Sequence, residues 1–355
     1  MIDNKTYTKE WIETISKQNG SVDKILVEKV IRALTLLMEL KKTNLNFIFK
    51  GGTALMLMLQ KTTRLSIDID IIINNKNTKI DDYLSLIIQS VRFTKYALQN
   101  RFTESDIVKA HYKFYYNPII KTHSEEEYIL LDILFEDNPY SKLVETAIVS
   151  PFIEIMEHLA VQTPSIENIL GDKLTAFAPN TTGIPYFKGK ASMSMEIIKQ
   201  LYDIGNLFDQ ANDVETIRNV FNAIASNELK YRKKHNFNSI DVLDDIFNTA
   251  YCISTRGQSD TCNFKDLQNG ITRIKSYIFS SKYQLENIII SASKAAYLAA
   301  LLKTGNNTID RYVSDNQYTN FDIKDTEYNK LNKLKKNIAE AFFYWCKALD
   351  LVGKN

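Results

Sequence analysis

The sequence has few of the residues that build metal-binding or disulfide-rich domains. It contains three cysteines and four histidines in 355 residues. Cys252, Cys262 and Cys346 form an odd-numbered, widely spaced set, and neither they nor the histidines follow the spacing of zinc ligands. The sequence therefore predicts no zinc site, and the three cysteines are predicted to be core or surface thiols without a catalytic role.

Long apolar runs and a large net charge are also missing. No stretch approaches the roughly 20 apolar residues that a membrane-spanning helix needs, and the N-terminus lacks the basic and then apolar pattern of a signal sequence. With 44 Lys and Arg against 42 Asp and Glu, the formal net charge is +2, so nucleic acid would have to bind local patches. We expect a soluble, cytoplasmic protein that binds no membrane.

The composition is otherwise that of a globular protein, with 45% hydrophobic and 24% charged residues, and the length of 355 residues suffices for two domains. Strand patterns are confined to residues 1–160, whereas helix patterns fill residues 161–355. We therefore predict an α+β fold, in which an N-terminal domain with a mixed sheet flanked by helices precedes a mainly α-helical domain.

Individual elements are predicted from hydrophobic periodicity and turn residues. Predicted strands cover 45–49, 66–73, 111–116, 128–135, 143–149 and 152–157. Predicted helices of the first half cover 21–42, 53–60 and 81–99, and Thr163-Pro164 is predicted to open the next helix. Residues 179–191 are predicted to form a loop.

One stretch near the N-terminus combines two kinds of binding chemistry. An apolar run ends in Lys50-Gly51-Gly52-Thr53 and continues as a helix, so backbone N–H groups are offered to anions at a helix N-terminus. In the strand that follows, Asp68 and Asp70 are two residues apart and project from the same face. Neighbouring carboxylates repel each other unless a cation lies between them, and Mg²⁺ is typically held by carboxylates together with substrate phosphates. A phosphate site beside a metal site predicts phosphoryl or nucleotidyl transfer.

The same stretch resembles a known superfamily. Gly-Gly-Thr, a helix and then Asp-x-Asp on a strand are similar to the DNA polymerase β-type nucleotidyltransferases. The fuller strings Lys50-Gly51-Gly52-Thr53-Ala54-Leu55 and Arg64-Leu65-Ser66-Ile67-Asp68-Ile69-Asp70 resemble the AbiEii/AbiGii toxin family within it. Ile67 departs from relatives that carry an acidic residue there, but it would face away from both aspartates. The resemblance implies a nucleotidyltransferase-like N-terminal domain in a Mg²⁺-dependent enzyme, with two ions during turnover, that transfers NMP from an NTP to an acceptor hydroxyl.

The resemblance also implies roles for single residues. Residues implied to bind the NTP phosphates are Gly51, Gly52, Thr53, Arg64 and Ser66, and those implied to bind metal are Asp68, Asp70 and Asp132. Asp132 is the one charge in the apolar strand 128–135, where an unpaired carboxylate would be costly. It matches the third carboxylate that this superfamily places on a strand beside Asp-x-Asp. The alternative is a solvent-facing position on an edge strand.

Two motifs of the predicted helical domain extend the resemblance. Gly171-Asp172-Lys173-Leu174 matches the family's Ala/Gly-Asp-Lys-Leu signature and makes Lys173 a candidate catalytic residue, as a charge near the triphosphate or as a base. The ordinary alternative is a solvated helix lysine. Lys199-Gln200-Leu201-Tyr202-Asp203 resembles a basic-Asp-x-x-Asp-Leu motif in which Gln200 replaces the first acidic residue. Lys199 and Asp203 are therefore nucleotide-binding candidates, with a structural i, i+4 ion pair as the alternative.

A basic cluster later in the chain is the candidate RNA-binding site. The segment Lys230-Tyr231-Arg232-Lys233-Lys234-His235 places an aromatic residue among cations, which suits an RNA backbone and an unstacked base. The candidate contacts are Lys230, Arg232, Lys233 and Lys234, and the alternative is an ordinary solvated surface.

The resemblance implies a biological setting as well. It implies a toxin of a bacterial toxin–antitoxin or phage-defence system, with a cognate antitoxin as partner. The implied acceptor is the tRNA 3′ end, with another RNA or a protein hydroxyl as alternatives. A rival hypothesis is a catalytically silent nucleotidyltransferase-fold protein that binds RNA or a partner protein.

Overall fold

The chain folds into two compact units. The computed structural model describes residues 1–59, 64–75, 78–90, 92–99, 108–259, 262–279, 283–314 and 321–354. One unit comprises Met1–Ser165 and Ser276–Lys282, and the other comprises Ile166–Lys275 and Tyr283–Asn355. A short segment from the second half of the chain thus belongs to the first unit.

A seven-stranded sheet forms the centre of the first unit. Its strands are β1 (Ile48–Lys50), β2 (Ile69–Ile73), β3 (Lys95–Leu98), β4 (Val108–Tyr116), β5 (Glu127–Phe135), β6 (Leu143–Ala147) and β7 (Ala160–Pro164). Their order in the sheet is β3-β4-β5-β2-β1-β7-β6. The pairs β2–β5 and β1–β7 are parallel and the remaining pairs are antiparallel. The helices of this unit are α1 (Lys9–Gln18), α2 (Lys24–Lys42), α3 (Gly51–Met58) and α4 (Ile80–Ile88). The mixed sheet with its helices confirms the predicted fold class.

The core of this unit follows from the alternation of its central strands. On β5, Leu131 and Ile133 are buried and belong to the same hydrophobic cluster as Ile71 of β2, because residues two apart on a strand share a face. Helix α2 adds its apolar stripe to this cluster, and it begins at Asp23, whose carboxylate accepts the backbone N–H of Ile25 at 2.7 Å. The opposite face of β2 and β5 carries Asp70 and Asp132 together with the apolar Ile72, Leu130 and Leu134.

Three predictions of elements are wrong for reasons of tertiary packing. The helix predicted over 81–99 ends at Ile88, and β3 follows it, because Tyr96 stacks on Phe114 of β4 with ring centroids 5.7 Å apart. Residues 152–157 are not a strand; the indole N–H of Trp11 donates to the carbonyl of Phe152. Pro164 ends β7 instead of opening a helix, and α5 begins at Ile166.

The second unit is helical. Its helices are α5 (Ile166–Ala176), α6 (Ser194–Phe208), α7 (Val214–Tyr231), α8 (Ser239–Ser254), α9 (Phe264–Ile274), α10 (Leu285–Thr304) and α11 (Ala339–Leu351), and the strands β8 (Phe187–Lys188) and β9 (Ala191–Ser192) form a small hairpin. Helix α10 packs against α6, α8 and α11. It is long and apolar enough to cross a membrane, but 78% of its most apolar window is buried in the protein. Most of this helix therefore packs against other parts of the protein.

Two of the three cysteines are joined. Cys252 in the last turn of α8 and Cys262 form a disulfide with a Cα–Cα distance of 5.9 Å, so the prediction that all three are thiols is wrong for this pair. The chain reverses after α8 and returns within ten residues, which brings the two Cβ atoms within bonding reach. Cys346 is a buried free cysteine, and burial raises the pKa of its thiol to about 12.

Candidate active site

A row of polar residues crosses the middle of the sheet in the first unit. Lys50 on β1 pairs with Asp70 on β2, Asp70 pairs with Asp132 on β5, and Asp132 pairs with His111 on β4. Directly paired residues of neighbouring strands project from the same face. A cation, two carboxylates and an imidazole therefore share the face opposite the hydrophobic core. We call these four residues the cross-strand row.

Asp132 lies in the interior of the sheet. Because β5 runs between β4 and β2, the edge-strand alternative for Asp132 is wrong. One of its carboxylate oxygens, Oδ1, lies 2.7 Å from Nδ1 of His111. The side chains of Asp132 and His111 are 29% and 13% exposed, so this carboxylate is accessible to a ligand while one side of it is held by the imidazole.

A glycine turn faces Asp70. Gly51 has φ +82°, a conformation that favours glycine, and a Cβ atom at this position would lie 2.0 Å from Oδ2 of Asp70. At Gly52, a Cβ atom would lie 2.6 Å from both Nη2 of Arg64 and Oγ of Ser66. The two glycines thus bring backbone next to a carboxylate on one side and next to a guanidinium and a hydroxyl on the other.

The same glycines begin helix α3. Its N-cap residue, Lys50, makes no side-chain capping hydrogen bond among the described residues, and its ammonium lies 5.7 Å from the centroid of the Tyr140 ring. The first N–H groups of a helix carry partial positive charge and lack intrahelical partners. This helix end, with Arg64 and Ser66 beside it, is suited to bind a phosphate.

Thr53 supports the site from within. It is fully buried, and its hydroxyl donates to the backbone carbonyl of Asp68 at 2.6 Å. This bond ties the first turn of α3 to the extended segment that carries Asp68 and leads into β2. The hydroxyl of Thr53 therefore fixes Asp68, and the binding groups that the Gly51–Thr53 stretch can offer a phosphate are its backbone N–H groups.

The donor set fits a divalent ion that is bound together with a substrate. Within the described residues, no three His, Cys, Asp or Glu side chains form a group that could hold a metal by themselves. Asp70 and Asp132 are nevertheless in register on neighbouring strands, and Mg²⁺ is usually bound through one or two carboxylates with substrate phosphates completing its coordination. This pair suits a metal–NTP complex better than a metal held by protein alone.

The candidates of the second unit form ion pairs with one another and with neighbours. Lys173 on α5 is buried, lies 3.0 Å from Oδ2 of Asp203 on α6, and donates to Oε1 of Gln200 at 2.9 Å. The glutamine that departs from the family motif thus accepts a hydrogen bond from the signature lysine. Lys199 pairs with Glu196 at 3.0 Å.

The basic cluster lies at the end of α7. A cavity of about 400 Å³ is lined by residues that include Lys230, Lys234, His235 and Phe237. Lys230 and Lys233 are exposed. In contrast, Arg232 pairs with Glu228 at 3.2 Å, and Lys234 donates to the carbonyl of Asn180 at 2.5 Å. Burial, and secondarily the charge of Arg232, lower the pKa of Lys234.

Sequence reasoning did not identify His111 as part of the site. The histidine opens a predicted strand, but its proximity to Asp132 depends on the antiparallel register of β4 and β5, which no local pattern reveals. The only signal was the alternation of 111–116, which places His111 on the face opposite Tyr112.

In this fold a strand ends in a glycine turn, and the strands beside it carry carboxylates. This is the arrangement of the nucleotidyltransferase class of proteins. The family model "Nucleotidyl transferase AbiEii toxin, Type IV TA system" matches residues 32–261. The chain therefore belongs to the AbiEii nucleotidyltransferase toxin family of type IV toxin–antitoxin systems.

Solved structures and curated proteins add little to this assignment. JHP933 from Helicobacter pylori is 16% identical, with a TM-score of 0.43 over 81% of this chain and 95% of that one. A second H. pylori chain is 17% identical, with a TM-score of 0.40 over 79% and 94%. An antigenic nucleotidyltransferase-like protein from Paracoccidioides brasiliensis is 15% identical, with a TM-score of 0.35 over 59% and 90%. No curated protein matches.

Proposed function

We propose that this protein is a Mg²⁺-dependent nucleotidyltransferase toxin that transfers NMP from an NTP to an acceptor hydroxyl. The observation that carries the proposal is the register of Asp70 beside Asp132, with the Gly51–Gly52 turn in front of Asp70. Two adjacent carboxylates favour a metal ion that neutralises them, and the helix end beside them favours an anion. Together they suit a metal-bound triphosphate.

Each residue of the first unit has a role in this proposal. The backbone at Gly51 and Gly52, with Arg64 and Ser66, binds the β- and γ-phosphates, while Asp68, Asp70 and Asp132 would hold the ions. When bound, the two ions neutralise the triphosphate and lower the pKa of the acceptor hydroxyl. That hydroxyl gives up its proton, to solvent or to a base for which Lys173 is the candidate, and its oxygen bonds to the α-phosphorus. The bond from this phosphorus to the bridging oxygen breaks, and pyrophosphate leaves.

The residues of the second unit keep their predicted roles as proposals. Lys173 is proposed as a charge for the triphosphate or as a base, and Lys199 and Asp203 as nucleotide-binding residues. The exposed Lys230 and Lys233, with Arg232 and Lys234 beside them, are proposed to bind an RNA backbone, and Phe237, which is 44% exposed, offers a ring on which a base can stack.

The biological proposal extends the family assignment. A member of a type IV toxin family acts in the cytoplasm beside a cognate antitoxin, and we propose the tRNA 3′ end as acceptor and phage defence as one setting. The rival, a silent scaffold that binds RNA or a protein, gives no reason for adjacent carboxylates, because their repulsion costs free energy without a metal.

A transfer assay tests the enzyme proposal. The protein is incubated with each labelled NTP, Mg²⁺ and total RNA, and the RNA is separated on a gel. We expect labelled RNA with the unmodified protein and none with Asp68→Ala or Asp70→Ala. Asp137→Ala is the matched control, since it removes an exposed carboxylate just after β5 and should transfer label at the unmodified rate. Equal background in all four proteins would instead support the silent scaffold.

Growth arrest in a bacterial host tests the toxin proposal separately. Asp70→Ala and Asp132→Ala should relieve the arrest without unfolding the protein, because each removes one of two adjacent like charges. Asp132→Ala also loses the hydrogen bond to His111, so the amount of each protein in the cells is measured as well. Arrest that persists in both variants would exclude transfer as its cause.

A further inference from the structure

His111 is a well-placed group in the first unit that the proposed reaction does not yet use. It sits directly opposite Asp132 in the β4–β5 register, with Nδ1 2.7 Å from Oδ1. Its side chain is 13% exposed, and it ends the cross-strand row on the side opposite Lys50. We propose that His111 is a positioning residue that orients the Asp132 carboxylate for metal binding, an inference that rests on the proposed nucleotidyltransferase function.

The direction of the hydrogen bond follows from the chemistry of the two groups. An ionised carboxylate can only accept, so Nδ1 carries the hydrogen and donates it. The bond is charge-assisted and partly shielded from water, which makes it stronger than a bond between neutral groups. It forms with the imidazole neutral or charged, so the positioning does not depend on a change of protonation.

The orientation of Asp132 is what such a bond can control. The terminal torsion of an aspartate is broad and roughly two-fold, so the backbone register alone leaves the carboxylate plane poorly defined. Donation from Nδ1 to Oδ1 fixes that plane and puts Oδ2 on the other side of Cγ from the imidazole. A metal ligand whose oxygen is already in place loses less conformational freedom when the ion binds.

The charges of the cross-strand row also support a positioning role for His111. Asp70 and Asp132 are like charges in register, with Lys50 of β1 paired beyond Asp70 and His111 of β4 paired beyond Asp132. His111 is the outer residue whose side chain is hydrogen-bonded to a carboxylate of the row, at 2.7 Å. Partners of this kind typically contribute 10-fold to 100-fold to metal affinity or activity.

A pair of variants separates the hydrogen bond from packing. In His111→Asn, the amide N–H of the asparagine lies close to the position that Nδ1 of His111 occupies. In His111→Leu, the leucine side chain is similar in size to the imidazole but has no hydrogen-bond donor. We expect His111→Leu to lower kcat of NMP transfer about 10-fold to 100-fold with the KM for NTP within about threefold, and His111→Asn to retain most of the rate. The exposed His123 supplies the control, because His123→Leu should change neither constant.

A binding measurement gives a readout that does not depend on turnover. Mn²⁺ bound in the presence of an unreactive NTP analogue is counted by electron paramagnetic resonance. His111→Leu should weaken Mn²⁺ binding about 10-fold to 100-fold, and His111→Asn should restore it. In the Asp132→Ala background, His111→Leu should have no further effect, since the imidazole then has no carboxylate to orient.

The outcomes distinguish this inference from the proposed function. Unmodified Mn²⁺ binding and kcat in His111→Leu would overturn the positioning role while the enzyme proposal stands on the Asp70→Ala result. The positioning role would also be overturned if His111→Leu and His111→Asn lost activity and Mn²⁺ binding equally, or if the losses persisted in the Asp132→Ala background. Such losses would show that His111 acts through packing and not through its hydrogen bond. Absence of transfer in the unmodified protein would overturn both proposals.

Discussion

Gly51 is a single residue that touches both parts of the proposed site, the phosphate-binding turn and the carboxylates. Its backbone has φ +82° and its Cα faces the carboxylate of Asp70. Any side chain would strain the turn and displace the aspartate. The sequence predicts that the glycine pair is a phosphate-binding turn, and the structure adds that the first glycine makes room for a carboxylate.

Replacing Gly51 should therefore affect activity more than stability. We expect Gly51→Ala to lower the free energy of unfolding by about 1–2 kcal/mol, the usual cost of a left-handed alanine. Transfer should fall about 100-fold, because a reacting group is displaced. Urea unfolding and the labelled-NTP assay measure the two effects.

Gly305 is the matched control for this substitution. It has φ +75°, but nothing lies within 4 Å of where its Cβ would be, so Gly305→Ala should show a similar backbone cost with full activity. Full activity of Gly51→Ala would mean that the Asp70 carboxylate needs no room at this turn.

At the scale of elements, α5 and α6 are joined by a buried ion pair. The side chains of Lys173 and Asp203 are 11% and 4% exposed. Removing one member of such a pair leaves an uncompensated buried charge and costs about 3–5 kcal/mol, whereas replacing both by apolar groups is often neutral. Loss of activity in a Lys173 variant alone would therefore not identify a catalytic role.

A double-mutant cycle separates the stability effect of the Lys173–Asp203 pair from an effect on activity. We expect Lys173→Met and Asp203→Leu each to lower the free energy of unfolding by about 3 kcal/mol or more, and the double variant to recover most of the loss. Lys199→Met is the control on the same helix; it breaks the more exposed pair with Glu196 and should cost at most about 1 kcal/mol. Additive losses would show that the buried pair is not coupled. The stable double variant then tests in transfer the proposed roles of Lys173 and Asp203 taken together.

The disulfide after α8 should stabilise the second unit by restricting a short loop. A loop of this length contributes about 2–3 kcal/mol in the chain-entropy model. Cys262→Ser should therefore lower the unfolding free energy by this amount in the absence of reductant and leave it unchanged in dithiothreitol. Native thiol titration should find no reactive group before reduction, because Cys346 is buried with its pKa raised to about 12. Identical stability with and without reductant would argue against the bond.

Elements with a strong period could be predicted from the sequence, and those defined by a partner could not. Helix α2 and strand β5 have apolar stripes that local patterns reveal. Strand β3 forms because it pairs with β4, and the end of β7 forms because it pairs with β6. Local patterns do not contain these pairings, so residues 95–98 were predicted as the end of a helix and Pro164 as part of the start of one. Tertiary pairing outweighed local propensity at both places.

For the molecule as a whole, the nearly balanced charge predicts RNA binding that depends on few contacts. If Lys230 and Lys233 each contact a phosphate, alanine at either should reduce the slope of log affinity against log salt by about one, regardless of RNA sequence. Anisotropy of a labelled single-stranded RNA between about 50 and 200 mM salt measures this. Lys336→Ala, an exposed lysine outside the cluster, should leave the slope unchanged. Equal slopes in all variants would exclude the cluster as an RNA contact.

The candidate site could be predicted as a set of residues but not as an arrangement. Asp68 and Asp70 were visible because they lie two apart in a predicted strand; in the structure Asp70 lies on β2 and Asp68 just before it. The neighbour relation of Asp70 to Asp132, and of Asp132 to His111, arises from the order of strands that are far apart along the chain. Such order depends on long-range pairing, which single-sequence patterns do not contain; the family resemblance supplied Asp132 but not His111.

The segment around Tyr277 has a consequence for biosynthesis. Backbone N–H of Leu65 donates to the carbonyl of Tyr277 at 2.8 Å, Ile278 bridges to Arg64, and Phe279 packs on Phe152. A ribosome must therefore polymerise more than a hundred residues beyond β7 before the unit that holds the carboxylates has all its parts. A fragment that stops at Ser165 would lack this support beside Arg64, and the nascent chain would complete its first unit only late in translation.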